Sequence, residues 1–185
     1  MLIKKRGYFF ILDAVLALLV LVIGVFVVTS YYVEAPKPVQ VGLLSGDLLA
    51  FLANNKIKEI NNPYVGIGGE LWNQGFITDP ENTLLQQIGE FYKKYEDDPT
   101  DDSYLDFAEK FIQNVSKNAV PPQFRYEIWM NDVILYPKTP SSGHLTSKDN
   151  AKILITSKRL TFGVMNKKTG EIWGPYKAEA FVWER

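Results

Sequence analysis

The chain has 185 residues, 46% of them apolar and 22% charged, with a formal net charge of −1. That suffices for one domain with a real core, and it excludes a disordered chain or a uniformly basic nucleic-acid-binding surface. Cysteine is absent and His144 is the single histidine, so disulfides, thiolate metal sites, cysteine nucleophiles and paired-histidine chemistry are excluded as well.

The chain opens on a basic leader, residues 1–7, carrying Lys4, Lys5 and Arg6. From Ala14 to Val33 no charge and no proline occurs. As a helix rising ~1.5 Å per residue this run spans about 30 Å, the thickness of a bilayer's hydrocarbon core. Tyr8 before it and Tyr31 and Tyr32 at its far end suit the two interfaces. The positive-inside bias holds the leader in the cytoplasm and predicts a single-pass membrane protein with its remainder exterior. The alternative is a cleaved secretory signal, whose apolar core runs only about 7–15 residues. Val33-Glu34-Ala35 has the form of a cleavage site, but Pro36 follows directly and the apolar run is too long. Asp13 interrupts the apolar pattern. A carboxylate at the centre of a bilayer costs about 2.5–3.5 kcal/mol on insertion scales. Either it lies near enough to the interface to pair with Lys4, Lys5 or Arg6, or it has a partner on another subunit.

The run Lys5-Arg6-Gly7-Tyr8-Phe9-Phe10-Ile11-Leu12-Asp13, followed by a long apolar helix, resembles the class III signal of type IV pilin-like proteins, especially archaeal ones. The resemblance covers about the first 33 residues. It implies cleavage between Gly7 and Tyr8 by a membrane prepilin peptidase. It also implies that the apolar helix, residues 8–33, is kept and later packs in the core of a filament of identical or related pilin subunits. In that family an acid near the new N-terminus meets a neighbour's α-amino group during assembly, a role that falls here to Asp13. The family's acid is commonly a glutamate at the fifth mature position; here Leu12 is fifth and Asp13 sixth. Adhesion, secretion and DNA uptake are all roles of such filaments, and the resemblance does not choose among them.

Residues 34–38 hold Pro36 and Pro38 and predict a kink, because proline removes a backbone donor and clashes with the preceding turn. An exterior domain, 39–185, follows. Leu44, Leu48, Phe51 and Leu52 recur at helical spacing and predict a helix from Val39 to Ile60, stopped by Asn61-Asn62-Pro63. Glycine-rich Tyr64–Thr78 reads as loop; its Gly66-Ile67-Gly68-Gly69 lacks the Lys-Ser/Thr of a phosphate cradle. Asp79-Pro80-Glu81 predicts the cap and first turn of an amphipathic helix carrying Leu84, Leu85, Ile88 and Phe91. Asp101 or Ser103 opens a second helix, with Leu105, Ala108, Phe111 and Ile112 on one face. The acidic turn between them offers Asp97, Asp98, Asp101 and Asp102 as candidate calcium ligands. The competing reading makes them solvated acids favouring the second helix's N-terminus. Asn114-Val115-Ser116 has the form of a glycosylation acceptor.

After Pro121-Pro122 the period changes to two. Phe124, Tyr126, Ile128 and Met130 alternate with Arg125, Glu127 and Trp129. Asn131-Asp132 then predicts a tight hairpin into Val133–Tyr136. Pro137–Asn150 reads as a polar loop holding an exposed His144. Further strands are expected at Lys152–Thr156, Arg159–Met165, Glu171–Trp173 and Tyr176–Trp183, with a turn at Lys167-Lys168-Thr169-Gly170. Helices followed by strands predict an α+β fold with a C-terminal antiparallel sheet.

No spacing of Ser, Lys or Asp singles out a nucleophile with its base, so no catalytic residue, cofactor, metal site or small-molecule substrate is expected. Beyond the leader and Asp13 the chain holds 17 basic and 20 acidic residues, a formal charge of −3 that argues against capture of nucleic acid. The expectation is a non-enzymatic structural subunit of a type IV pilus-like surface filament, membrane-anchored before assembly. The alternative is a signal-anchored surface protein with a binding domain that never polymerises.

Overall fold

The computed structural model describes residues 3–32, 38–138, 148, 150–151, 153–166 and 170–184. The chain divides into two units, Met1–Lys37 and Pro38–Arg185. The first is one helix, α1 (Ile3–Tyr32). It begins at Ile3, five residues ahead of the expected Tyr8, so the leader from Ile3 to Gly7 is helical too. Gly7 costs a helix only about 1 kcal/mol relative to alanine, too little to interrupt thirty residues. The expected kink at 34–38 falls mostly outside the described residues, and Pro38 already belongs to the next helix.

The second unit opens with α2 (Pro38–Asn54), in which proline takes the first helical position, where its missing donor costs nothing. The helix ends at Asn54 rather than Ile60. Beyond it the backbone is drawn into pairing with residues 80–83: Ile57 N donates to Asn82 O at 3.0 Å, Lys58 N to Pro80 O at 3.1 Å, and Lys56 bridges Thr83. A 3-10 turn, Ile57–Glu59, closes this segment. The same pairing corrects the start of the next helix. Asp79-Pro80-Glu81 is a turn, in which Asp79 Oδ1 accepts from Glu81 N. The helix begins at Leu84 behind a capping box: Thr83 Oγ1 accepts from Gln86 N at 3.1 Å, and Gln86 Oε1 accepts from Thr83 N at 2.9 Å. Within the expected loop lies a single helical turn, α3 (Glu70–Asn73), with Val65, Leu71 and Ile77 buried around it. The two amphipathic helices are α4 (Leu84–Asp97) and α5 (Ser103–Ser116).

Four antiparallel strands follow: β1 (Phe124–Met130), β2 (Val133–Tyr136), β3 (Leu154–Asn166) and β4 (Glu171–Glu184), in the order β2-β1-β4-β3. The architecture is therefore α+β with a C-terminal antiparallel sheet. Asn131 (φ 44°) and Asp132 (φ 69°) make the two-residue turn that pairs Met130 with Val133. The four short strands expected after residue 150 are two long ones. Pairing continues through Ser157↔Ala180 and Lys158↔Glu179, and Gly174-Pro175 is absorbed by a shift of register between Thr161↔Tyr176 and Gly163↔Trp173. Gly170 (φ 71°) takes the left-handed conformation expected of the turn's last residue, while 167–169 lie outside the described residues.

Register assigns each strand two faces. Ile128, Met130, Ala178, Ala180 and Val182 point to the helices and share one core with Leu48, Leu52, Ile88, Phe91 and Phe111. Phe91 and Phe111 meet edge to face, their centroids 5.8 Å apart. Trp173 is the largest demand on this packing. Its ring lies between Gly89 of α4 and Gly163 of β3, and a methyl at Gly163 would come within 2.6 Å of the indole Cζ2. Two glycines so placed let a helix and a strand close on an indole ring.

Candidate functional site

α1 is apolar on all sides. From Phe10 to Val27 its mean hydropathy is 3.0, long and apolar enough to cross a membrane, and none of that span is buried within the chain. Leaving so much hydrocarbon uncovered is stable only against lipid or other apolar helices. Asp13 is the one ionisable side chain in the span. It shares a helix face with Phe10 and Leu16, at spacings of three, and with Leu12 lines a shallow apolar depression. A carboxylate in that setting is costly in hydrocarbon unless a cation meets it. The Gly7–Tyr8 bond lies inside the helical run, so a peptidase acting there would have to unwind it locally.

The other sequence candidates take separate places. Asn114 sits on α5, half-buried; its side-chain amide donates to Lys110 O at 2.9 Å. Asp97 pairs with Lys93, and Asp102 with Lys138 at 3.4 Å. Asp98 Oδ1 accepts from the Thr100 backbone and hydroxyl, and Asp101 Oδ1 from Ser103 N at 2.9 Å. Each carboxylate is turned to a local donor, and among the described residues no three acidic or histidine side chains converge as a metal site would require. His144 lies outside the described residues.

No family model matches this chain, and no curated protein and no solved structure matches it.

Two features of the sheet were not visible in the sequence. The first is a cation cage on the face turned away from the helices. Lys148 Nζ stands 4.8 Å from the Trp129 ring centroid and 4.5 Å from that of Phe181, and it pairs with Glu127. Glu127 is fully buried, and its Oε2 also accepts from Trp129 Nε1 at 2.8 Å. Glu127 and Trp129 alternate with the core-facing residues of β1 and lie on its other face. Lys148, from the long connection after β2, covers them. A desolvated cation–π contact is worth about 2 kcal/mol, beside the ion pair.

The second feature is a cavity of about 550 Å³ between the start of α4 and the far end of the β3–β4 hairpin. Phe162, Val164, Ile172 and Pro175 form its apolar wall; Asp79, Asn82 and Gln86 supply polar groups. Gln86 Nε2 donates to Phe162 O at 3.2 Å, which ties α4 to the edge strand. Just behind, Asn82 Nδ2 donates to Glu90 Oε1 at 2.8 Å. Burial pushes the Glu90 carboxyl above its ordinary pKa, opposed by the Asn82 hydrogen bond and by Lys94. On the exposed flank the opposite holds: hydrogen bonds from Lys58 and Lys56 draw Glu81 down to about 2.

Proposed function

We propose that this protein is a structural subunit of a type IV pilus-like surface filament, anchored in the membrane through α1 before assembly, with residues 38–185 exterior. The observation that carries the reading is a helix apolar on all sides, uncovered by its own chain, and broken by one carboxylate directly after a Lys-Arg-Gly leader. Lipid gives helices little drive to associate, so exchange of lipid for neighbouring helices relies on side-chain packing and on polar pairing. Asp13 supplies the polar term: its carboxylate meets the α-amino group of Tyr8 on an adjacent subunit once the leader has been removed by a prepilin peptidase. No enzymatic step is assigned to the chain.

The test has two parts. N-terminal sequencing of the native protein is expected to begin at Tyr8; an intact Met1 points to a plain anchor, and a start at Pro36 to a secretory signal. Asp13→Asn keeps size and hydrogen bonding but removes the charge. Losing one partner of a buried ion pair costs about 3–5 kcal/mol. The variant should therefore reach the membrane at wild-type levels yet shed no filaments when cells are sheared. Filaments of normal yield would overturn the role of Asp13.

The cavity beside Phe162 favours a second reading, a signal-anchored surface protein that binds a ligand and does not polymerise. Under it, Asp13→Asn is neutral or eases insertion.

A further inference from the structure

Trp173 is 2% exposed, yet its indole N–H meets no hydrogen-bond acceptor among the described residues. Buried donors are seldom left so in folded proteins, and each one calls for an explanation. The two glycines that hold the ring show where this donor lies. The indole atoms nearest to a methyl placed on Gly89 are Cη2 and Cζ3, at the benzo end. Those nearest to one on Gly163 are Cζ2, Cε2 and Nε1, the last at 2.9 Å. The N–H therefore belongs to the Gly163 end of the ring. Gly163 and Trp173 are both walls of the cavity at the start of α4. The other side-chain polar groups around that cavity have partners within the chain. Gln86 spends Oε1 on Thr83 N and Nε2 on Phe162 O; Asn82 Nδ2 donates to Glu90, and Asp79 Oδ1 accepts from Glu81 N.

We propose that this cavity binds an uncharged, mainly apolar small molecule through one acceptor atom, a carbonyl oxygen or a ring nitrogen, that takes up the Trp173 N–H. The inference rests on the ligand-binding half of the second reading above. Filament formation would refute the other half of that reading and leave this one standing. Three observations select the ligand class. The first is size: about 550 Å³ falls within the roughly 300–1,000 Å³ of small-molecule sites. The second is the lining. Phe162, Val164, Ile172 and Pro175 offer hydrocarbon, and a single unpaired donor among apolar walls orients a ligand by one hydrogen bond. The third is charge. Asp79 stands in the wall, and the buried Glu90 lies just behind Asn82. The nearby Lys56 and Lys58 are both held by Glu81. An anionic ligand would meet like charge here and no unpaired cation.

Benzophenone and diphenylmethane are matched probes, the same two rings with and without a carbonyl acceptor; 4-benzoylbenzoate adds a negative charge. Each is titrated into the full-length chain in nanodiscs, with ¹⁵N-labelled tryptophan and ¹³C-labelled isoleucine methyls. The Trp173 N–H and Ile172 methyl signals, assigned by their loss in Trp173→Phe and Ile172→Val, report on the cavity itself rather than on probe dissolved in lipid. Benzophenone is expected to move both signals saturably, the N–H downfield. Diphenylmethane should move the methyl and leave the N–H without a downfield shift, and 4-benzoylbenzoate should move neither. Trp173→Phe keeps an aromatic ring and deletes the donor. Read at the Ile172 methyl, it should lower the preference for benzophenone over diphenylmethane about tenfold, the worth of one hydrogen bond. Partition into lipid is common to both chains and drops out of that ratio. Phe162→Ser, at a 68% exposed position, should weaken benzophenone several-fold, and with the wild-type N–H shift it decides the matter if Trp173→Phe does not fold. A methyl signal that no probe moves overturns the proposal. So does an N–H unmoved when the methyl is saturated, a preference unchanged in Trp173→Phe, or 4-benzoylbenzoate bound as tightly as benzophenone.

Discussion

The two units of this chain handle apolar surface in opposite ways. α1 buries none of its apolar span, whereas the unit 38–185 closes Leu52, Ile88, Phe111, Ile128, Val182 and Trp183 completely. The difference is not one of composition alone. The helices and strands of the second unit are apolar on one face, so they can cover one another; α1 is apolar all round and has no face to spare for water. The lesson is a division of labour: the first unit leaves its apolar span uncovered, and the second closes a core of its own.

The largest effect should come from separating them. Removal of Met1–Lys37 is expected to turn a detergent-requiring protein into a soluble monomer with cooperative unfolding, measured by sedimentation and circular dichroism. An obligate oligomer or a molten fragment would break the comparison, because the second unit would then need partners as well.

A smaller effect tests how the second unit closes its sheet. Lys148→Met leaves the fully buried Glu127 carboxylate without its ammonium and should cost about 3 kcal/mol in chemical denaturation. Glu127→Gln should cost less, since the Lys148 side chain, 18% exposed, can turn to solvent. Equal losses would mean that the aromatic contacts, not the burial of the carboxylate, hold the cover in place.

The smallest effect is a pH dependence. Burial raises the folded-state pKa of Glu90 above its unfolded value near 4.5, so the native state binds more protons in that window. Its contribution is favourable below about pH 4.5 and is lost as pH rises through the folded pKa. Glu90→Gln can still accept the Asn82 hydrogen bond. It should therefore stabilise the protein at pH 7 and leave stability at pH 4 nearly unchanged, read from paired denaturation curves. A variant no more stable at pH 7 than at pH 4, relative to the parent, would show that Glu90 is held charged at no cost.

What sequence alone determined here is what depends on local periodicity. An eighteen-residue apolar window, the 3.6-residue repeats of α4 and α5, and the Asn-Asp hairpin each state their structure within a few residues, because the controlling interactions are local. The cap at Thr83 was also legible as Thr-x-x-Gln, but Asp79-Pro80-Glu81 is an equally good local signal, and only pairing with residues 56–58 decides between them. The same holds for the strands: Gly174-Pro175 looks like a break until thirteen residues of β3 are laid against it. Glu127 is the sharpest case. Alternation puts it opposite the core, and it is opposite the core, yet it is buried, because a lysine twenty-one positions away comes to lie on that face. The cavity at Phe162 belongs to the same class. Whether an apolar residue is covered depends on which distant segment crosses it, and only the assembled fold decides that.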